Sequence, residues 1–111
     1  MRTPPSGWRS WNQFQGAINA DIISGQLYEL ARPRALPDGT FASLASLGYN
    51  AAGLDDGWQK CGHYGPDGYR YHDANGAPVI DERKFPSMAN LTRLGKTLGV
   101  SLGWYGNACG C

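Results

Sequence analysis

Hydrophobic residues along this chain fall into two alternating patterns: short, nearly uncharged runs, and stretches in which they repeat every three to four positions. Ile23, Leu27 and Leu30 stand at i, i+4 and i+7, one stripe of an α-helix. Asn19 is a natural N-cap for it, and Asp21 falls in the first turn, where the helix dipole favours negative charge. The pattern predicts a helix to about Ala31, stopped by Pro33 and Pro37. Phe41, Leu44 and Leu47 predict a short second helix capped by Thr40 and closed by Gly48. Met88, Leu91, Leu94 and Leu98 give a third, opened by Ser87 and closed by Gly99.

Strand-type runs separate these helices. "SGWRSWNQF" (residues 6–14) reads as a first strand and its exit loop, behind Pro4 and Pro5. "YNAAGL" (49–54) is nearly uncharged, as a strand covered on both faces by helices is. "VSLGWYG" (100–106) supplies a third. Residues 57–86 read as a loop excursion, with an Asn75-Gly76 turn between "YRYH" and "APVI" as a hairpin signal and His72 as an exposed polar residue within it.

Strand, helix, strand, helix, strand implies parallel pairing, hence an α/β fold. In such folds ligands bind beyond the carboxyl ends of the strands, which is where Trp11, the pair Asp55-Asp56, and Tyr105 fall. Singly, each has a structural explanation: adjacent aspartates form turns and caps, and aromatics fill cores. Their convergence on the ends of three successive strands points instead to a shared cleft, in which two carboxylates act on a ligand rather than lie buried without partners.

Composition narrows the ligand. With 111 residues, 41% hydrophobic and 17% charged, the chain is globular material. A net charge of +1 without a basic run gives no footprint for nucleic acid. No apolar stretch approaches the roughly 20 residues that span a bilayer, and no secretory h-region follows Met1. Four Trp, six Tyr and sixteen Gly suit a small flat ligand such as a sugar. No cofactor motif is present, and "DANG" lacks the continuation of a calcium loop. Cys61, Cys109 and Cys111 are odd in number, which suits an incomplete chain. Cys61-x-His63 with Cys109-x-Cys111 supplies four zinc-type ligands, but the single-residue spacings depart from the usual knuckle, and a disulfide from Cys61 to a later cysteine is the alternative.

"RTPPSGWRSWNQF", "LGYNAAGLDDGWQ" and "KFPSMANLTRLGKTLGVSLGWYGNACGC" resemble, in order and with similar separations, the N-terminal part of the melibiase-type α-galactosidases of glycoside hydrolase family 27. That family opens "TPPMGWNSWN" and carries "DDGW" or "DDCW". The resemblance implies the first three βα units of a (β/α)8 barrel, incomplete here, with residues 1–111 the N-terminal part of the catalytic domain. It implies an α-galactoside or related sugar as substrate, no cofactor or metal, and a secreted or lumenal location. It further implies that Trp11 walls the galactose ring, that Asp55 and Asp56 accept sugar hydroxyls, and that Tyr105 contacts the sugar. The family's catalytic carboxylates lie on its fourth and sixth strands, so none is expected in this chain.

There are departures from the family pattern. Gly57 stands where many members have Cys, so the disulfide made there is absent. Cys109 and Cys111 lie closer to Tyr105 than the usual third-strand cysteine, and Pro33, Pro37 and "PDGT" interrupt a helix that is commonly continuous. The rival expectation is a free-standing sugar-binding or zinc-stabilised α/β domain without catalysis.

Overall fold

The computed structural model describes residues 6–62 and 71–107. In chain order these form strand β1 (Gly7–Arg9), the one-turn helix α1 (Trp11–Phe14), helix α2 (Ala20–Ala31), the short strands β2 (Arg34–Ala35) and β3 (Phe41–Ala42), a 3-10 turn (Ala45–Leu47), strand β4 (Ala51–Leu54), helix α3 (Met88–Thr97) and strand β5 (Ser101–Trp104).

Both long helices begin where the sequence places them. The Asn19 side chain accepts from the Ile22 amide at 2.9 Å, and the Ser87 hydroxyl accepts from the Asn90 amide at 3.2 Å, each satisfying an otherwise orphaned donor. Ile23, Leu27 and Leu30 are the buried face of α2. The region between α2 and β4 differs from expectation. Asp38 accepts from both the amide and the hydroxyl of Thr40, so Thr40 closes a turn rather than capping a helix. Phe41 and Ala42 then pair antiparallel with Arg34 and Ala35, and only one 3-10 turn forms, ended by Gly48 in the left-handed region. Phe41 and Leu47, expected on the inner side of that helix, are 72% and 57% exposed, and of the turn itself Ala45 packs against the core.

Strands β1, β4 and β5 lie side by side in the order β1-β4-β5, parallel throughout, with Arg9 opposite Gly53 and Gly53 opposite Gly103. Alternation along the strands sends Trp8, Ala52, Leu54 and Leu102 to the core formed with α2 and α3. Helix α3 lies close on this face because Gly95 has no side chain: a Cβ there would meet Leu102 and stand 2.8 Å from the Val100 carbonyl oxygen. Among the described residues helices cover only this one face, not both. The other face carries Gly7, Arg9, Ala51, Gly53, Ser101 and Gly103, small residues around one arginine, which line an open hollow of about 380 Å³.

The excursion after β4 contains two isolated antiparallel bridges, Gln59 with Ile80 and His72 with Pro78, around a turn in which Asp73 accepts from the amides of Asn75 and Ala77. His72 is half-buried rather than exposed. The excursion returns to the core through Phe85, which is 1% exposed. No helix among the described residues is long and apolar enough to cross a membrane.

Candidate functional site

The ladder continues one residue past the ends of β1 and β5. The Ser10 amide donates to the Gly53 carbonyl at 3.2 Å, and the Tyr105 amide donates to the Leu54 carbonyl at 2.8 Å. These bonds place the residues just after β1 and β5 on either side of the point where Asp55 and Asp56 leave β4. Trp11 follows Ser10 directly. The ring of Trp8 meets that of Phe14 edge to face at 6.2 Å, tying the four-residue helix α1 back onto its own strand. All four residues singled out in the sequence therefore lie along one edge of the sheet. Trp11 and Tyr105 are 45% and 43% exposed and both aspartates are half-buried, so neither aromatic is filling core space. No hydrogen bond joins the side chains of Trp11 or Tyr105 to either aspartate among the described residues.

The two carboxylates are held in different ways. Asp55 anchors its backbone by donating its amide to the fully buried Ser10 hydroxyl at 2.9 Å, and its Oδ2 accepts from Arg9 Nε at 2.8 Å. That ion pair raises the guanidinium further above its ordinary range, chiefly through the hydrogen bond. Among the described residues no cation pairs with Asp56. Its Oδ1 accepts from the Gly57 amide at 2.8 Å and its Oδ2 from the Asn107 side-chain amide at 3.2 Å. Two like charges sit side by side because one is balanced by a cation and the other by oriented neutral donors. The Tyr71 hydroxyl is pushed up, first by burial and then by the charge of Asp56, which places that phenol within the field of the site.

Other bonds fix the loops themselves. Trp58 Nε1 donates to the Tyr105 carbonyl at 2.8 Å, and the Gln59 side chain accepts from the Asn107 amide at 2.9 Å, so the residues after the aspartates grip the residues after β5. Lys84 Nζ donates to the carbonyls of Gly16 and Gly57, both at 3.1 Å, joining the exit loops of β1 and β4. Gly57 is required at this junction: its φ is +105°, and a Cβ there would stand 2.6 Å from the Gly16 carbonyl oxygen. Where the resemblance leads one to miss a disulfide, this chain has a glycine contact and an ammonium bridge. Lys84→Met should lower unfolding free energy by about 1.5–3 kcal/mol, the range for a lost hydrogen bond to a charged group, read as a lower urea midpoint. An unchanged midpoint would mean that the two carbonyls are equally well served by water.

Arg9, Ser10, Lys84 and Asn107 were not singled out in the sequence. Arg9 had a readable signal, since strand alternation puts it on the same face as Gly53 and Asp55 once β1 and β4 are paired. Lys84 and Asn107 had none, because their partners are backbone groups and side chains brought close only by the tertiary fold. Of the zinc-type set, Cys61 is disulfide-bonded and so offers no thiolate, while His63, Cys109 and Cys111 lie outside the described residues. Among the described residues no group of His, Cys, Asp or Glu is placed to hold a metal ion.

No protein-family model matches the chain. Among curated proteins it is 33% identical over 111 residues to the α-N-acetylgalactosaminidase of Rattus norvegicus, covering 95% of this chain and 23% of that protein. It is 31% identical over 109 residues to the α-galactosidase of Cyamopsis tetragonoloba, covering 96% of this chain and 22% of that one. Among solved structures, α-galactosidase I from Mortierella vinacea superposes with a TM-score of 0.69 at 27% identity, covering 93% of this chain and 22% of that chain. A putative α-galactosidase from Bacteroides fragilis gives 0.69 at 27% identity, covering 93% and 18%. The chain thus spans less than a quarter of the length of these relatives. Over nearly all of its own length, it is homologous to the α-galactosidase and α-N-acetylgalactosaminidase family of glycoside hydrolases.

Proposed function

We propose that residues 1–111 are the N-terminal part of the catalytic (β/α)8 barrel of a retaining glycoside hydrolase that removes terminal α-linked galactose, its strand and helix units being the first three of eight. The observation that carries this reading is the placement of Trp11, Asp55, Asp56 and Tyr105 at the carboxyl ends of three adjacent parallel strands, where barrel enzymes bind their substrates. The uncovered sheet face supports it, because glycine, alanine and serine around one arginine suit an interior completed by further strands.

In this reading Asp55 and Asp56 bind sugar and do not cleave it. Retaining hydrolysis uses two carboxyl groups about 5–5.5 Å apart on opposite sides of the scissile bond, one as nucleophile and one as acid and base. Adjacent residues on one strand exit, committed to Arg9 in one case and to Gly57 and Asn107 in the other, are held as acceptors on the same side of a ligand. They accept hydroxyl protons from the sugar, an axial 4-OH among them, through charge-assisted bonds. A site built this way disfavours a sugar that leaves a carboxylate unpaired. Trp11 offers a flat wall for the ring's apolar face, and Tyr105 a further polar contact. The nucleophile and acid/base belong to later strands of the parent protein, and neither role calls for a cofactor.

The full-length protein should release nitrophenol from a nitrophenyl α-galactoside, whereas residues 1–111 alone should not. Turnover by residues 1–111 that Asp55→Asn or Asp56→Asn abolishes would overturn the assignment of these aspartates to binding. A folded full-length protein inert toward α-galactosides and N-acetyl-α-galactosaminides alike would overturn the hydrolase reading and favour a binding domain.

A further inference from the structure

We infer that Arg9 is a positioning residue for sugar binding, one that fixes the Asp55 carboxylate through one oxygen and leaves the other to a sugar hydroxyl. The inference rests on the glycosidase reading above and deepens it by giving Arg9 a part in how Asp55 meets the sugar. Arg9 lies opposite Gly53 in the β1–β4 ladder, and Asp55 follows Gly53 by two residues, on the same side of the sheet. The guanidinium crosses directly over Gly53, where a Cβ would stand 3.0 Å from Nη1 and 3.3 Å from Cζ. A side chain at 53 would press on the guanidinium and require it to give by a few tenths of an ångström on its way to Asp55.

At the end of that path, Nε donates to Asp55 Oδ2 at 2.8 Å, while the next residue, Ser10, receives the Asp55 amide at 2.9 Å. Two consecutive residues of the first strand's exit therefore fix both the backbone and the side-chain torsion of Asp55. Oδ1 accepts from no described residue. Asp56, by contrast, has a protein donor on each oxygen. Arg9 thus turns a freely rotating carboxylate into an acceptor with one committed and one open oxygen.

An alternative role for an arginine in this hollow is to bind an anionic group on the substrate. Charge decides against it. Asp55 and Asp56 outnumber Arg9, so the three groups sum to −1, and at contact distance salt does not screen that sum. An anion would meet net repulsion, whereas the hydroxyls of a neutral sugar meet an oriented acceptor. The family opening quoted above has Asn where this chain has Arg9, so the device belongs to this chain's version of the site.

A double-mutant cycle on the full-length enzyme tests the inference, with the nitrophenyl α-galactoside as substrate and circular dichroism as the check on folding. Arg9→Leu should lower kcat/KM by about tenfold in the wild-type background, and by less than about twofold when Asp55 is already Asn, because the arginine acts only through that carboxylate. Arg9→Lys keeps a cationic donor and should lose less, again only while Asp55 is intact; it carries the cycle if the leucine variant fails to fold. Across a series of monodeoxy galactosides, the hydroxyl whose removal no longer matters in Asp55→Asn should be the one whose removal matters less in Arg9→Leu. Wild-type turnover with Arg9 and Asp55 effects that multiply, or with different hydroxyls affected, would overturn the inference alone. Absence of wild-type turnover would overturn the glycosidase reading, and the inference with it.

Discussion

In the full-length protein, Asp55→Asn and Asp56→Asn should each lower kcat/KM for an α-galactoside at least about tenfold while leaving the melting temperature nearly unchanged. An ionised acceptor contributes about 1.5–3 kcal/mol to a hydrogen bond, and about 1.4 kcal/mol corresponds to one decade in rate. The amide is nearly isosteric, but it presents an NH2 where a carboxylate oxygen stood. In Asp55→Asn the retained oxygen can still accept from Arg9, which places the new donor at the position of the open Oδ1, toward the sugar hydroxyl. In Asp56→Asn the amide oxygen can accept from only one of Gly57 and Asn107, so the loop after β5 loses a tie as well as the site losing a charge. Removing one of two neighbouring negative charges relieves repulsion, which offsets part of that loss in stability. Thermal melts together with steady-state kinetics separate the two effects. Variants that unfold while their folded remainder keeps the wild-type kcat/KM would make the pair structural.

The sequence was most legible where local chemistry and the global fold agree. Asn19 and Ser87 announced their helices because capping is local, and the stripe of Ile23, Leu27 and Leu30 became the buried face of α2 because burial follows the helical period. The parallel order of β1, β4 and β5 followed from the helices between them. Residues 40–47 were misread because their period-three pattern suits a helix and the turn before them does not: the carboxylate of Asp38 took the Thr40 groups that a cap requires. Within the candidate site, the placement of the aspartates and aromatics at strand ends was legible from the order of the runs. Their supports were not. Lys84 reaches Gly16 and Gly57 across sequence separations of 68 and 27 residues, and Asn107 reaches Asp56 across 51, distances over which no periodicity carries information.

The largest expected effect on stability lies in the excursion rather than in the strands. Phe85 is the largest fully buried side chain among the described residues, and it sits in the cluster with Leu54, Trp58 and Leu91, where the chain returns from its long loop to begin α3. Phe85→Ala should destabilise by about 3–5 kcal/mol, through lost transfer energy and the cavity left behind. The consequence should reach the site, because the same short segment supplies two other ties: the Asp81 amide donates to the Trp58 carbonyl at 2.9 Å, and Lys84 bridges the exit loops of β1 and β4. Loosening Phe85 therefore frees the clamp on Gly57 without touching either aspartate. Trypsin supplies a direct readout, since Arg83 and Lys84 immediately precede Phe85 and peptide bonds in a docked segment resist cleavage. Cleavage after these residues should accelerate in Phe85→Ala and remain slow in Phe85→Leu, which keeps most of the buried volume. If Phe85→Ala shifts the urea midpoint by less than about 1.5 kcal/mol equivalent and trypsin cuts no faster, the segment before α3 is held by its polar ties rather than by Phe85.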